Sequence, residues 1–326
     1  MASSCELWYS NAINRAEEMN LDSRIQKIVD EIKKSIKGKD AIILKVLCAM
    51  FAGGHILLED IPGVGKTTLA MAISQSMSLS YKRVQFTPDV MPSDITGFNM
   101  YNAQSQKFEF HEGAAMCNLL LADEINRTSP KTQSSLLELM EEGKVTVDGQ
   151  THFVPRPFIV IATQNPFGSA GTQRLPESQV DRFMVRLSMG YPSHDSSLEI
   201  LRQDSDPETI DQVITIDEFL EMQRNVNDVF VDEAIFEMIV NITEATRESD
   251  NIQLGLSPRG SKALLRMAKA NAFINGRKFV STEDVLANLS CIMAHRLVLS
   301  SRAKAKGIEV DAVLDKIADD IFVPKI

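Results

Sequence analysis

The stretch HILLEDIPGVGKTT (residues 55–68) constrains the fold more than any other part of the chain. Its short, continuous apolar run is typical of a strand that is buried on both faces of a parallel sheet. Gly63 and Gly65 lack a Cβ atom, so the backbone can turn sharply and direct successive N–H groups into a concavity that fits a polyphosphate. Lys66 adds a positive charge, and Thr67 places a hydroxyl suited to Mg²⁺ at the start of the next helix. The stretch therefore predicts a strand, a phosphate-binding loop and a helix.

The usual phosphate-loop pattern is G-x-x-x-x-G-K-[ST], and here Asp60 stands at the position of its first glycine. The second half of the pattern is complete. A glycine-rich turn that binds no ligand is the alternative interpretation of this motif alone. The residues that we predict to bind ATP phosphates are Pro62, Gly63, Val64, Gly65, Lys66, Thr67 and Thr68.

A second motif, NLLLADE (118–124), is an apolar strand that ends in the adjacent carboxylates Asp123 and Glu124. Successive residues at a strand end point in different directions, so Asp123 can face a Mg²⁺ ion while Glu124 faces an attacking water. The alternative interpretation is a solvent-exposed strand end without a catalytic role. The phosphate loop upstream disfavours this alternative. A third apolar strand, 158–163, is followed by Asn165, at the edge where open α/β sheets bind ligands.

The chain of 326 residues is long enough for two domains. Hydrophobic residues make up 44% and charged residues 24% of it, which is typical of globular proteins and excludes a disordered or fibrous class. The formal net charge of −10 disfavours nonspecific binding to nucleic acid, because that affinity comes largely from Lys and Arg. A DNA-binding function is therefore not expected from composition.

Two classes of protein are also disfavoured by local patterns. The four cysteines are far apart and form no C-x-x-C pair, which argues against a disulfide framework or a zinc knuckle. The N-terminal residues MASSCELWYSNAINRAEE lack a basic start followed by an apolar segment, and no window approaches the ~20 apolar residues of a membrane span. We therefore expect a cytoplasmic protein with no membrane insertion.

Hydrophobic periodicity divides the chain into three parts. Residues 1–20 give no clear signal and are expected to form an N-terminal arm. Residues 21–193 alternate strands and helices, with inserted segments at about 87–113 and 144–154 that predict hairpins. Residues 194–326 show helical patterns only, so we predict an all-α domain there.

One helix start in this last part fixes the direction of an arginine. Ser257 is a good N-cap, Pro258 suits the first helical position, and Arg259 follows in the first turn. A surface arginine without a specific role is the alternative interpretation.

Together these motifs resemble the AAA+ ATPases and, more closely, the MoxR family, over nearly the whole chain from about Ser23 onward. The segments that carry the resemblance are LLEDIPGVGKT (57–67), FTPDVMPSDITG (86–97), NLLLADEINR (118–127), KTQSSLLELMEE (131–142), IATQNP (161–166), LPESQVDRF (175–183) and LSPR (256–259). The resemblance implies an α/β core, in which a parallel five-stranded sheet lies between helices, followed by a smaller all-α lid domain. The two inserts match the helix-2 insert and the hairpin before sensor 1 in the clade shared with magnesium chelatase and MCM helicases.

The resemblance also implies roles for individual residues. Lys66 and Thr67 match Walker A, Asp123 and Glu124 match Walker B, and Asn165 matches the sensor 1 residue that orients the attacking water. Thr67 and Asp123 would bind Mg²⁺.

Two arginines complete the set. Arg182 resembles the arginine finger that acts in trans on a neighbouring subunit, and Arg259 resembles sensor 2, which couples the lid to the γ-phosphate. Arg127 and Lys131 lie where the family faces the next subunit.

The chain departs from the family at a few positions. Members often read E-D-x-P-G or E-G-x-P-G at the start of the phosphate loop, so Asp60 is consistent with the family. The sequence GAAM at Gly113–Met116 replaces the usual GPIF, and Gln173-Arg174 replaces Tyr-Pro. These departures bear on insert contacts and subunit packing and not on hydrolysis.

The function implied is that of an ATPase that works with ATP and Mg²⁺ in a homo-oligomeric ring, expected to be a hexamer. It would remodel or activate a client protein, or assist its maturation or metal insertion, with a separate von Willebrand factor A domain protein as the usual partner. Two alternatives remain: a nucleotide-dependent DNA-remodelling machine, which the acidic charge disfavours, and a nucleotide-binding switch with little turnover.

Overall fold

A five-stranded parallel sheet forms the centre of the molecule, in the order β2-β5-β8-β1-β9. The computed structural model describes residues 21–165, 175–202 and 209–320. The strands of the sheet are β1 (Ile56–Glu59), β2 (Tyr81–Gln85), β5 (Leu119–Asp123), β8 (Ile159–Gln164) and β9 (Val185–Leu187). All four pairings are parallel. The predicted five-stranded parallel sheet is therefore confirmed.

Helices cover both faces of this sheet, which explains why its strands are continuous apolar runs. Successive side chains of β5 point to opposite faces: Leu119 and Leu121 join one hydrophobic core, and Leu120 and Ala122 join the other. The first core packs under α1, α2 and α3, and the second under α5. The helices of the core domain are α1 (Ser23–Ser35), α2 (Asp40–Phe51), α3 (Lys66–Ser76), α4 (Pro92–Thr96), α5 (Pro130–Glu142) and α6 (Glu177–Val180).

The parallel strands give the sheet two chemically different edges. We call the edge where the strands end the carboxyl edge, and the edge where they begin the amino edge. At the amino edge the ring of His55 accepts a hydrogen bond from Val160 N (3.0 Å) through Nδ1 and donates through Nε2 to Met140 O (3.0 Å). These bonds place the end of α5 at the amino edge, because Met140 lies in its last turn.

Two antiparallel hairpins project from the core within the two predicted inserts. They are β3–β4 (Gly97–Asn102 and Lys107–Glu112) and β6–β7 (Lys144–Val147 and Gln150–Phe153). Phe110 stacks on His152 with ring centroids 3.7 Å apart, and Asn99 Nδ2 donates to Asp148 Oδ2 at 2.9 Å. The two hairpins therefore pack against each other.

The C-terminal part is helical and packs on α2 and on the amino edge. Phe51 and Phe219 have ring centroids 5.1 Å apart, and Lys45 Nζ donates to Ala287 O at 2.8 Å. Its helices are α7 (His194–Arg202), α8 (Ile216–Asn227), α9 (Glu233–Glu248), α10 (Pro258–Ile274), α11 (Thr282–Leu286), α12 (Leu289–Met293), α13 (Ser301–Ala305) and α14 (Val310–Asp320).

The sequence patterns predicted a purely α-helical lid, but the lid also contains a small β-sheet. Strands β10 (Ile252–Leu254) and β11 (Val298–Leu299) pair in an antiparallel two-stranded sheet. Segments of three and two residues are too short to show a strand alternation, so periodicity could not predict them.

Some predictions fall outside the described residues, namely the arm at 1–20 and the departure at Gln173-Arg174. Among the residues that the structure does describe, no helix is both long and apolar enough to cross a membrane.

Candidate nucleotide-binding site

A cavity of about 440 Å³ lies at the carboxyl edge of the sheet, where β1, β5 and β8 end side by side. It combines backbone from the phosphate loop with cationic, amide and carboxylate side chains. The lining residues are Pro62, Gly63, Gly65, Lys66, Thr67, Thr68, Arg83, Gln85, Asp123, Glu124 and Asn165.

The phosphate loop adopts a backbone conformation that favours glycine. Gly63 and Gly65 have φ angles of +84° and +92°, which place both in the left-handed region that L side chains rarely adopt. Gly65 is also the N-cap of α3, so the free N–H groups of the first helical turn face the cavity. This arrangement binds anions, because the N–H groups and the helix dipole both favour negative charge.

Asp60 has a structural role at the position of the first glycine of the usual motif. Its side chain is buried and accepts hydrogen bonds from Ser188 Oγ (3.0 Å), Gly190 N (3.1 Å) and Met189 N. The carboxylate thus ties the start of the phosphate loop to the segment that leads into the lid. The family pattern accommodates Asp60, but these partners could not be inferred from sequence.

Lys66 extends along the inner wall of the loop. Its Nζ donates to Asp60 O at 3.0 Å and to Ile61 O at 3.3 Å. Burial lowers the pKa of Lys66, and the nearby charges of Asp60, Asp123 and Glu124 oppose that shift. The ammonium group therefore faces the same space as the two carboxylates that end β5.

Asp123 and Glu124 have separate sets of partners, consistent with the different directions predicted from the strand end. Asp123 accepts from Thr163 Oγ1 (2.6 Å) and Arg83 Nη2 (2.6 Å). Glu124 has φ +55° and ψ +48°, an uncommon conformation for a residue other than glycine. Its Oε2 atom accepts from Gln85 Nε2 (2.9 Å) and Arg127 Nη1 (2.6 Å).

The oxygen donors in the cavity suit a magnesium ion that is shared with a nucleotide. Thr67 and Asp123 both line the cavity, and Mg²⁺ in such sites takes one or two protein oxygens in addition to substrate phosphates and water. In the described parts of the chain, no group of three or more His, Cys, Asp or Glu residues could hold a metal. The donor set therefore fits an ion that is completed by phosphate oxygens.

Asn165 lines the cavity, as its place after β8 predicted, but Arg182 and Arg259 do not. Both arginines instead donate to the carboxylate of Glu141 in the last turn of α5. Arg182 precedes β9, whose entry is fixed by a hydrogen bond from Met184 N to His55 O (2.8 Å). Both arginines therefore lie at the amino edge.

The sheet separates this arginine pair from the chain's own phosphate loop. The loop begins at Asp60, five positions after His55, and a strand rises about 3.3 Å per residue, so the two edges are about 16 Å apart. The structure does not bring either arginine to the phosphate loop of the same chain.

Sequence reasoning missed three residues that contact the carboxylates, namely Arg83, Gln85 and Thr163. Gln85 pairs with Asp123 in the sheet register, but adjacency of β2 and β5 cannot be read from their distant positions in the chain. Thr163 is fully buried and also accepts from Glu124 N at 2.9 Å. Its place two residues before Asn165, at the end of the same apolar strand, was a signal that could have identified it.

Comparison with known proteins identifies the family to which this fold belongs. The model of the ATPase family associated with various cellular activities (AAA) matches residues 55–185, and that of the AAA lid domain matches residues 244–317. The uncharacterized protein YeaC of Bacillus subtilis is 46% identical over 95% of this chain and 98% of its own length.

Two further relatives cover most of the chain. Chaperone MoxR1 of Mycobacterium tuberculosis is 34% identical over 93% of this chain and 83% of its own. A crystal structure from Cytophaga hutchinsonii superposes with a TM-score of 0.87 and 34% identity over 97% of this chain and 99% of that one. The phosphate loop, the paired carboxylates and this similarity over nearly the full length show that the chain belongs to the MoxR family of AAA+ ATPases.

Proposed function

We propose that this protein hydrolyses ATP with Mg²⁺ as part of a homo-oligomer and uses the energy to remodel a client protein. The observation that carries the hydrolysis is the convergence of Lys66, Asp123 and Glu124 on one cavity beside the phosphate loop. Phosphoryl transfer requires positioning and charge neutralisation more than covalent chemistry, and these residue types supply both.

Each side chain has a distinct part in the reaction. The loop N–H groups and Lys66 bind the phosphates. Thr67 and Asp123 would hold Mg²⁺, which would supply positive charge against the phosphate oxygens. Glu124 accepts a proton from the attacking water. Among the described residues, its bonds to Gln85 and Arg127 both use Oε2, so we assign that proton to Oε1.

The positions of the arginines support the oligomeric part of the proposal. Arg182 and Arg259 lie at the amino edge and share Glu141, so a phosphate that they reach belongs to another copy of the chain. An arginine supplied in trans contributes about 10³–10⁵ to the rate in comparable phosphoryl-transfer sites. A closed ring of six copies, as the family resemblance implies, would give every cavity such an arginine.

Hydrolysis is tested by measuring phosphate release from ATP with the purified full-length chain, with Mg²⁺ and with excess EDTA. We expect release that requires Mg²⁺ and is lost in Lys66→Ala. Tight ATP binding with no phosphate release at any protein concentration would instead favour a nucleotide-binding switch.

The remodelling part rests on the family and on a relative that is named a chaperone. We propose that the partner is a separate protein with a von Willebrand factor A domain. Glu124→Gln should bind ATP without rapid turnover and retain this partner during affinity capture from native cytosol, whereas Lys66→Ala should not retain it. Recovery of replication proteins and DNA would contradict the proposal and favour a DNA-remodelling machine.

A further inference from the structure

One carboxylate joins the two arginines at the amino edge. Glu141 Oε2 accepts from Arg182 Nη1, and Glu141 Oε1 accepts from Arg259 Nη2. Arg182 comes from the segment before β9 and Arg259 from the first turn of α10 in the lid. Two guanidinium groups repel each other, and a shared carboxylate offsets that repulsion.

A second set of contacts fixes the backbones that carry these arginines. Asp181, the residue before Arg182, accepts from Ser257 Oγ at 3.3 Å, and Ser257 is the N-cap of α10. Arg296 in the lid donates from Nε to Asp181 Oδ1 at 2.6 Å and from Nη2 to Phe183 O at 2.6 Å. The side chain of Arg296 is only 2% exposed, so this support is rigid and shielded from solvent.

The arrangement leaves donors available on both arginines. Arg182 uses Nη1 for Glu141 and for Leu137 O (3.2 Å), and Arg259 uses Nη2 for Glu141. A guanidinium carries five N–H donors in a fixed fork. In the described part of the chain, the other nitrogens of these two side chains are therefore available to an incoming anion, and Glu141 need not be displaced.

We propose that Glu141 is a positioning residue that presents Arg182 and Arg259 as one cationic pair to the nucleotide phosphates bound by a neighbouring copy of the chain. This inference rests on the proposed hydrolysis in an oligomer. Without the carboxylate, the two guanidiniums separate, and the phosphate at the neighbouring cavity meets one misplaced cation or none.

The chain offers a matched control in the next residue, Glu142. It also lies in the last turn of α5 and is exposed, but its ion-pair partner is Lys144 at 3.8 Å and not an arginine of the pair. Glu141→Gln and Glu142→Gln make the same chemical change at adjacent positions. Equal melting temperatures of the two variants would establish that both remain folded.

The experiment mixes two variants of the full-length chain. The donor carries Lys66→Ala, so it lacks a working phosphate loop and keeps its arginines. The recipient carries Arg182→Ala, so it keeps its phosphate loop and lacks the finger. We expect little phosphate release from either alone and substantial release from the mixture.

Glu141→Gln is then added to the donor. We expect the kcat of the mixture to fall at least about tenfold with little change in the KM for ATP, because small misplacements of catalytic groups cost up to about 10²-fold. Glu142→Gln in the donor should leave the rate unchanged. The fall should be larger with Glu141→Gln in the donor than in the recipient, which a general effect on folding would not produce.

Other outcomes overturn the inference. An unchanged or increased rate with Glu141→Gln in the donor means that Glu141 does not position the pair. A mixture that stays inactive, when the unsubstituted chain is active, rules out presentation to a neighbour and leaves hydrolysis standing. An inactive unsubstituted chain overturns both the inference and the proposed function.

Discussion

The two edges of the central sheet carry different sets of functional groups and are assembled in different ways. The carboxyl edge is built from short contiguous segments, the phosphate loop and the Asp123–Glu124 pair, which meet because their strands are neighbours. The amino edge combines Glu141, Arg182 and Arg259, which come from three distant parts of the chain. The first edge is a nearly complete phosphate-binding site, and the second presents two arginines that are bridged by one carboxylate.

Under the proposed function, this difference teaches that the two parts of one catalytic site lie at opposite edges of the sheet in each chain. The edges are about 16 Å apart, so the proposal requires that the arginines of one copy complete the cavity of another. The following predictions test whether the two edges have these separate roles, beginning with the largest expected effect.

Removing the finger should affect turnover and not nucleotide binding. Arg182→Ala is expected to lower kcat by about 10³–10⁵, because the cation acts only on charge that develops during phosphoryl transfer. The ATP dissociation constant, measured by calorimetry, should change little. Arg224→Ala, at an exposed position in α8, is the control. An unchanged kcat in Arg182→Ala would show that Arg182 at the amino edge has no role in catalysis.

The proton acceptor on the carboxyl edge should show the next largest effect. Glu124→Gln removes the base and keeps the side-chain size, so we expect kcat to fall by about 10²–10⁴ while ATP remains bound. Single-turnover phosphate release measures this directly. Unchanged turnover would exclude Glu124 from its role.

The amino edge also has a pH-dependent effect on stability through His55. Burial lowers the pKa of His55 from 6.5 to about 4. A base with a lowered pKa in the folded state stabilises the fold fully above pH 6.5, and this contribution is lost as the pH falls towards 4. Between pH 7 and pH 4, this lowered pKa corresponds to a loss of about 3 kcal/mol in the free energy of unfolding.

Urea unfolding at pH 7 and pH 4 measures this contribution. The buried His295, whose pKa is also lowered, acts in the same direction, so the comparison is between the unsubstituted chain and His55→Gln. The unsubstituted chain should lose about 3 kcal/mol more of its free energy of unfolding than the variant. Equal losses of unfolding free energy in the two proteins would show that His55 does not make this contribution.

The smallest expected effect concerns Thr163. Its hydroxyl donates to Asp123 and accepts from Glu124 N, so Thr163→Val keeps the shape and removes both bonds. We expect kcat to fall about 10- to 100-fold, as for other residues that orient metal ligands, and Thr163→Ser to recover most of it. Similar rates for the Val and Ser variants would show that the hydroxyl has no positioning role.

The same contrast explains what could be predicted from sequence. The phosphate loop, Asp123, Glu124 and Asn165 were predictable because each follows an apolar strand, and the ends of parallel strands share one edge. The contacts of Arg83 and Gln85 could not be predicted. They depend on β2 lying beside β5 in the sheet, although β3 and β4 separate these strands along the chain. Sequence likewise gave no sign that Glu141 would join Arg182 to Arg259, since side-chain positions in three elements decide it.

The most direct test of a catalytic site shared between copies is the ATPase rate per chain as a function of protein concentration, with the molar mass measured in the same samples. The account predicts that the rate per chain rises as oligomers form and then reaches a plateau. A substantial rate that stays constant across concentrations at which the protein is monomeric would contradict it.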